Sequence, residues 1–171
     1  INEAVEACRS QLAESVRIRL VSDVPLGAFL SGGLDSSSVV ALMRQATDGP
    51  IRTCSMVFEE AEYSEAPYAR AVADYVGAEH HERVVTYDDV ASEFDAIFAA
   101  MDQPSIDGVN TYFVSQTARQ AGLTVALSGL GGDELFGGYA RYLVAYLEQA
   151  LKGAIYGTGS DPRYVVSWDS I

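Results

Sequence analysis

Two adjacent glycines, three hydroxyls and one carboxylate fall within seven residues, Ser31-Gly32-Gly33-Leu34-Asp35-Ser36-Ser37, between an apolar run at 26–30 and a helix-like stretch at 38–45. Glycines let a chain turn tightly and bring backbone N–H groups up to an anion with no side chain between them. The first turn of the following helix adds unpaired N–H groups and the positive end of its dipole, and Ser31, Ser36 and Ser37 offer hydroxyl donors. That combination suits a polyphosphate. Asp35 would repel such a ligand unless a divalent cation lay between them, so it reads as a magnesium ligand. The common nucleotide loop GxxxxGK[ST] is absent, and the single lysine of the chain is Lys152, so no loop lysine reaches a γ-phosphate. The plainer reading is a Ser/Gly turn with Ser36 or Ser37 as helix N-cap. The density of glycine and hydroxyl between two apolar elements favours phosphate.

The elements that must position this loop follow from periodicity. Val5, Leu12, Val16 and Leu20 predict an amphipathic helix over 2–20. Strand-like runs at 26–30, 51–58, 83–85 and 124–127 are separated by helix-like stretches at 38–45, 65–76, 88–101 and 111–121. Ser64 offers an N-cap, and Gly77 and Gly122 sit where left-handed caps end helices. Apolar strands alternating with helices predict an α/β fold, a parallel doubly wound sheet with helices on both faces. Ligands bind such sheets beyond the strand C-termini, where strand order reverses. Residues 31–37 and 128–133 both follow strands, so the two segments are expected to converge. Residues 59–63 read as a solvated acidic connection, and Tyr142, Leu143, Tyr146, Leu147 and Leu151 form a helical stripe of core or interface type.

SGGLDSS resembles the pyrophosphate loop of ATP pyrophosphatases, and the lead-in Asp23-Val24-Pro25-Leu26-Gly27-Ala28-Phe29-Leu30 resembles asparagine synthetases. A second block, Ser128-Gly129-Leu130-Gly131-Gly132-Asp133-Glu134-Leu135-Phe136-Gly137-Gly138-Tyr139, is similar to that family's SGxGxDExFGGY segment. Glu79-His80-His81-Glu82 and Asp102-Gln103-Pro104 fall in matching order between them, and the resemblance runs from about 12 to 142. It implies an adenine nucleotide alpha hydrolase-like fold of the ATP pyrophosphatase type. The implied activity is an ATP-dependent amidoligase that adenylates a carboxylate, most simply aspartate, and transfers ammonia from glutamine, releasing AMP and pyrophosphate. Backbone donors and Mg²⁺ would hold the leaving pyrophosphate as its charge develops. By the same resemblance Ser31, Gly32, Gly33, Leu34, Asp35, Ser36 and Ser37 would hold pyrophosphate, Leu30 and Met56 would contact adenosine, Ser128 and Gly129 would line the nucleotide pocket, and Asp35 and Asp133 would carry the metal and act catalytically.

Two departures bear on substrate. Leu130 stands where the second motif usually has a carboxylate, and Gln103 where the family often has glutamate. They open two other readings, a related amidotransferase acting on a different carboxylate and a non-catalytic nucleotide-binding module. Adjacent His80 and His81 on a strand would point to opposite faces and cannot share one ion.

At 171 residues, 49% of them hydrophobic, the chain suffices for one domain with a sizeable core, read as residues 1–152 with 153–171 as a tail incomplete without a C-terminal region. It begins at Ile1 in a helix-like pattern, as a domain cut from a longer protein would; the resemblance places a glutaminase domain before it, a helical region with the catalytic lysine after it, and a homodimer in the full-length protein. Lys152 does not match that lysine's context, so the isolated fragment is expected to be inactive. The formal net charge of −13 argues against nucleic acid and against anionic membrane surfaces, leaving small-molecule substrates as partners. No run approaches the roughly 18 apolar residues that span a bilayer. Cys8 and Cys54 are expected to be buried thiols, and a cytoplasmic location fits two cysteines without a disulfide framework.

Overall fold

The computed structural model describes residues 2–59, 64–139, 142 and 144–149. They fall into two compact units that divide between Gly129 and Leu130.

In the first unit, α1 (Asn2–Arg19) leads to β1 (Leu26–Phe29), α2 (Leu34–Ala46), β2 (Arg52–Phe58), α3 (Ala66–Val76) and β3 (Glu79–Val85). Then come α4 (Tyr87–Ser92), α5 (Phe94–Ala100), α6 (Gly108–Gln120) and β4 (Val125–Leu127). The strands form one sheet in the order β3-β2-β1-β4, and every pairing is parallel. The chain therefore winds outward from β1 to β3 and returns to the far side of β1, which places the reversal of strand order between β1 and β4.

Both faces are covered, as the continuous apolar strands predict. Val16 of α1, Val40, Leu42 and Met43 of α2, and Ala69, Ala73 and Val76 of α3 pack with Ala28, Leu30 and Ile51 on one side. On the other, Ala118 of α6 and Leu123 close over Cys54, while Phe113 and Ile97 pack with Val85 and the half-buried Met56. Fully burying a Val, Leu, Ile, Phe or Met side chain contributes roughly 1.5–3 kcal/mol, so these clusters, rather than helix propensity, hold the layers together.

Several boundaries differ from those the pattern predicts. α2 starts at Leu34 with Gly33 as its N-cap and no side-chain cap, so Asp35, Ser36 and Ser37 lie inside its first turn and neither serine is the cap. α3 is capped at Glu65 rather than Ser64, although the Ala66 amide donates to the Ser64 hydroxyl at 3.4 Å. β3 is seven residues long, because the pairing of Arg52 with Glu79 extends it back through both histidines. The single helix expected over 88–101 is two, broken at Glu93. Gly77 ends α3 at φ 68° and Gly122 follows α6 at φ 77°, both left-handed as expected. Cys54 is buried, but Cys8 is exposed on α1: it lies four residues before Leu12 along the helix, in the stretch 2–11 where every residue is exposed. No helix among the described residues is long and apolar enough to cross a membrane.

The second unit opens with Leu130, and α7 (Gly132–Phe136) follows Gly131 at φ 98°. In the helical stripe, Tyr142 is half-buried while Tyr146 and Leu147 are exposed, so these last two are not core; Leu143, Leu151, the tail 153–171 and most of the acidic connection lie outside the described residues.

Candidate nucleotide site

The β1 end delivers residues 30–37 to the point where strand order reverses. Leu30 donates its amide to the Cys54 carbonyl at 2.9 Å and buries its side chain in the core, so only its backbone faces the loop. Gly32 takes φ 86°, and a Cβ there would stand 2.6 Å from both the Ala69 nitrogen and the Tyr68 Cβ, so the turn rests directly on the first turn of α3. Only glycine fits on both counts.

The first intrahelical bond of α2 runs from the Ser37 amide to the Gly33 carbonyl at 3.0 Å. The amides of Leu34, Asp35 and Ser36 are therefore the orphan donors of the helix start, at the positive end of its dipole. Gly129, directly after β4 and Ser128, packs on this turn. A Cβ at Gly129 would fall 2.6 Å from the Ser36 nitrogen and 2.9 Å from the Asp35 carbonyl carbon, so the bare α-carbon is what lets the two strand ends meet. Residues 31–37 and Ser128-Gly129 do converge; Leu130 to Asp133 belong to the second unit.

The hydroxyls are not alike. Ser31 and Ser36 bond to each other at 2.9 Å and to the loop backbone. Ser37 Oγ is buried with no hydrogen-bond partner among the described residues. A buried hydroxyl without a partner in the same turn as three orphan amides, where a Cβ on Gly129 would fall against the Ser36 nitrogen, fits an anionic ligand rich in acceptors. Asp35 is half-buried in the same turn, and Leu34 is exposed.

Met56 lies in β2 on the α6 side, paired in register with Arg83. In the second unit, Asp133 sits in the first turn of α7; its carbonyl accepts from the Gly137 and Gly138 amides at 2.9 and 3.1 Å, and the α-carbon of Gly138 lies against its carboxylate. Tyr139 donates its hydroxyl to Glu134 at 2.9 Å, and Leu130 is 88% exposed.

Three polar features lie away from the loop, of which the sequence pattern singled out His80 and Cys54 but not Arg83. His80 bridges two β2 hydroxyls, with Nδ1 2.8 Å from Thr53 Oγ1 and Nε2 3.1 Å from Ser55 Oγ, and its burial pushes its pKa down. It is a buried crosslink between strands, on the face opposite His81, whose Nε2 lies 3.4 Å from Glu79. Burial likewise pushes the Cys54 thiol up to about 11, making it a poor nucleophile. Finally, Arg83 donates to Gln116, lies 3.5 Å from Glu93 and 3.6 Å from Asp89, and stands over the Phe113 ring at 5.1 Å. Spacing along the chain cannot reveal this cluster, since its members lie up to 33 residues apart.

The architecture has a solved counterpart in the NH3-dependent NAD synthetase of Campylobacter jejuni, with a TM-score of 0.50 at 14% identity over 80% of this chain and 62% of that one, a likeness of fold. In sequence, the chain is 46% identical over 145 residues to a Methanocaldococcus jannaschii protein provisionally assigned as asparagine synthetase [glutamine-hydrolyzing] 2. It is 37% identical over 143 residues to asparagine synthetase [glutamine-hydrolyzing] 1 of Bacillus subtilis. These matches take in 83% and 82% of this chain but only 28% and 22% of those proteins, so the chain spans about a quarter of their length. The asparagine synthase family pattern itself matches residues 7–167, from α1 past both glycine-rich motifs. With its parallel sheet, its loop at the strand-order reversal and this match, the chain belongs to the asparagine synthase family.

Proposed function

We propose that this chain is the nucleotide-activating domain of an ATP-dependent amidoligase, which adenylates a carboxylate, most simply aspartate, and passes the acyl group to ammonia. The observation that carries this reading is the turn 31–37 at the strand-order reversal, with orphan amides at Leu34, Asp35 and Ser36 and the unpartnered Ser37 hydroxyl, and with the bare α-carbon of Gly129 packed against the Asp35–Ser36 backbone. The substrate carboxylate attacks the α-phosphorus of ATP, the bond to the β-phosphate bridging oxygen breaks, and pyrophosphate leaves. Ammonia then attacks the acyl carbon and AMP departs. The loop holds the β and γ phosphates, so it acts where negative charge grows during the first step. Leu30 and Met56 line the adenosine side, and Ser128 and Gly129 close the pocket.

Mg²⁺, when bound, would neutralise phosphate charge. Asp35 is the ligand available in the loop. Among the described residues no three His, Cys, Asp or Glu side chains group together. The ion would therefore take its other ligands from phosphate oxygens and water, as Mg²⁺ does in sites completed by substrate. The reading carries with it ammonia from a glutaminase domain of the longer protein and a cytoplasmic setting.

The test is pyrophosphate release by the full-length protein given ATP, Mg²⁺, ammonia and aspartate. Asparagine formed in step with pyrophosphate supports the reading, and a protein that binds no nucleotide overturns it. Leu130 and Gln103 favour one second reading, a different carboxylate on the same machinery. Pyrophosphate released only with another acid selects it.

A further inference from the structure

Arg83 carries a charge into the layer between the sheet and α6, where its neighbours Phe113, Val85 and Met56 are apolar, and its side chain is only 19% exposed. A guanidinium only donates and an ionised carboxylate only accepts, so the bonds around it have one possible sense. Arg83 donates to Gln116 Oε1, which turns the Gln116 amide nitrogen toward Glu93 at 2.9 Å, and the Tyr112 hydroxyl donates to the same Glu93 oxygen at 2.9 Å. Glu93 and Asp89 face the guanidinium at 3.5 and 3.6 Å, and its central carbon stands 5.1 Å from the centre of the Phe113 ring. Glu93 thereby ties β3, α6 and the corner between α4 and α5 together.

An apolar side chain at position 83 would pack on Phe113 without the cost of desolvating a charge, so the network is weak evidence for stability. What its directional bonds add is a single arrangement of the packed layers. That arrangement bears on Met56, which pairs in register with Arg83 and packs against Phe113, Val85 and Ile97 while staying half-buried. Met56 also stands two residues beyond the Phe29–Cys54 pairing, so it flanks the start of the turn from the neighbouring strand. We infer that Arg83 is a positioning residue: bonded to Gln116 and facing Glu93, it fixes Phe113, and through Phe113 it fixes Met56 on the adenosine side of the nucleotide pocket. This rests on the nucleotide reading and adds to it a side chain two strands from the turn that acts through its neighbours rather than by touching the ligand.

Mg·ATP and magnesium pyrophosphate separate the two ends of the site, because pyrophosphate has no adenosine to contact. Both are titrated calorimetrically into the full-length protein. Arg83→Met keeps an aliphatic stem; it should bind Mg·ATP about tenfold more weakly than the parent, and magnesium pyrophosphate within about twofold of it. Met56→Ala should show the same split. The double variant should bind Mg·ATP within about twofold of Met56→Ala alone, because the arginine acts through the methionine. Tyr112→Phe deletes one bond to Glu93 and keeps the ring, so it probes the same corner if Arg83→Met does not fold; it should lose about threefold for Mg·ATP and nothing for pyrophosphate. A merely structural arginine would weaken both ligands alike. Equal losses for the two ligands, parent-like Mg·ATP binding by Arg83→Met or, in its place, by Tyr112→Phe, or losses that add in the double variant overturn the positioning role and leave the nucleotide reading standing. A parent that binds neither ligand overturns the nucleotide reading, and this inference with it.

Discussion

At the scale of single residues, the site depends as much on atoms left out as on those supplied. The added Cβ of Gly129→Ala would meet the Asp35–Ser36 backbone at 2.6–2.9 Å, distances that no side-chain rotation relieves. Either β4 or the first turn of α2 must shift, at about 1–3 kcal/mol for an overpacked contact. We expect a melting temperature lower by about 3–6 °C and nucleotide binding weakened by more than tenfold; unaltered binding in titration would show that the two strand ends need not touch. Asp35→Asn keeps the shape of the turn and removes the charge, so it should abolish the magnesium dependence of nucleotide binding while leaving ligand-free melting within about 1 °C of the parent. The residue types of this turn were legible because glycine and hydroxyl density has a direct chemical meaning. What could not be read was the partner of each hydroxyl, which depends on fractions of an ångström, or the exposure of Cys8, which depends on how far along α1 the core packing reaches.

At the scale of elements, alternation of strand and helix was readable because a parallel sheet buried on both faces leaves an apolar run at each strand. The break between α4 and α5 was not, because its cause lies elsewhere in the chain. Glu93 accepts from the Tyr112 hydroxyl and the Gln116 amide, both at 2.9 Å, and faces Arg83 at 3.5 Å, so its side chain is drawn to α6 and β3. Asp89 forms a capping box with Thr86 one turn earlier. The hydrogen bond from Gln116, then that from Tyr112, holds the Glu93 carboxyl below its usual 4.5, and the Thr86 side-chain bond holds Asp89 below 3.8. Both groups bind protons less readily folded than unfolded. Their contribution is thus fully present above the unfolded carboxylate range and is lost as pH falls through the lower folded values. Melting temperature should therefore drop on acidification from about pH 6 to pH 3. Glu93→Gln, which still accepts both bonds but does not titrate, should drop less, and identical pH profiles would show that the cluster adds nothing to acid sensitivity.

At the scale of the whole molecule, strand order was only half legible: alternation predicts a reversal somewhere, while its place between β1 and β4 is decided by the long return through α4, α5 and α6. That reversal carries the turn we propose to bind phosphate, on a chain with 24 acidic residues against 11 basic ones. Attraction at the turn comes from amides and a helix terminus, which act within a few ångströms, whereas repulsion of an anionic nucleotide by the net charge acts over a Debye length. That length shrinks from about 30 Å at 0.01 M salt to about 8 Å at 0.15 M. Added salt should therefore remove the long-range repulsion first and leave the short-range donors largely intact. We expect the association rate of Mg·ATP, followed by stopped-flow fluorescence, to rise about two- to threefold over that range of sodium chloride, the reverse of the fall seen where a basic cleft steers an anion. A rate that falls with salt would mean that a local positive field, one that the net charge of −13 conceals, reaches beyond the turn and guides the nucleotide in.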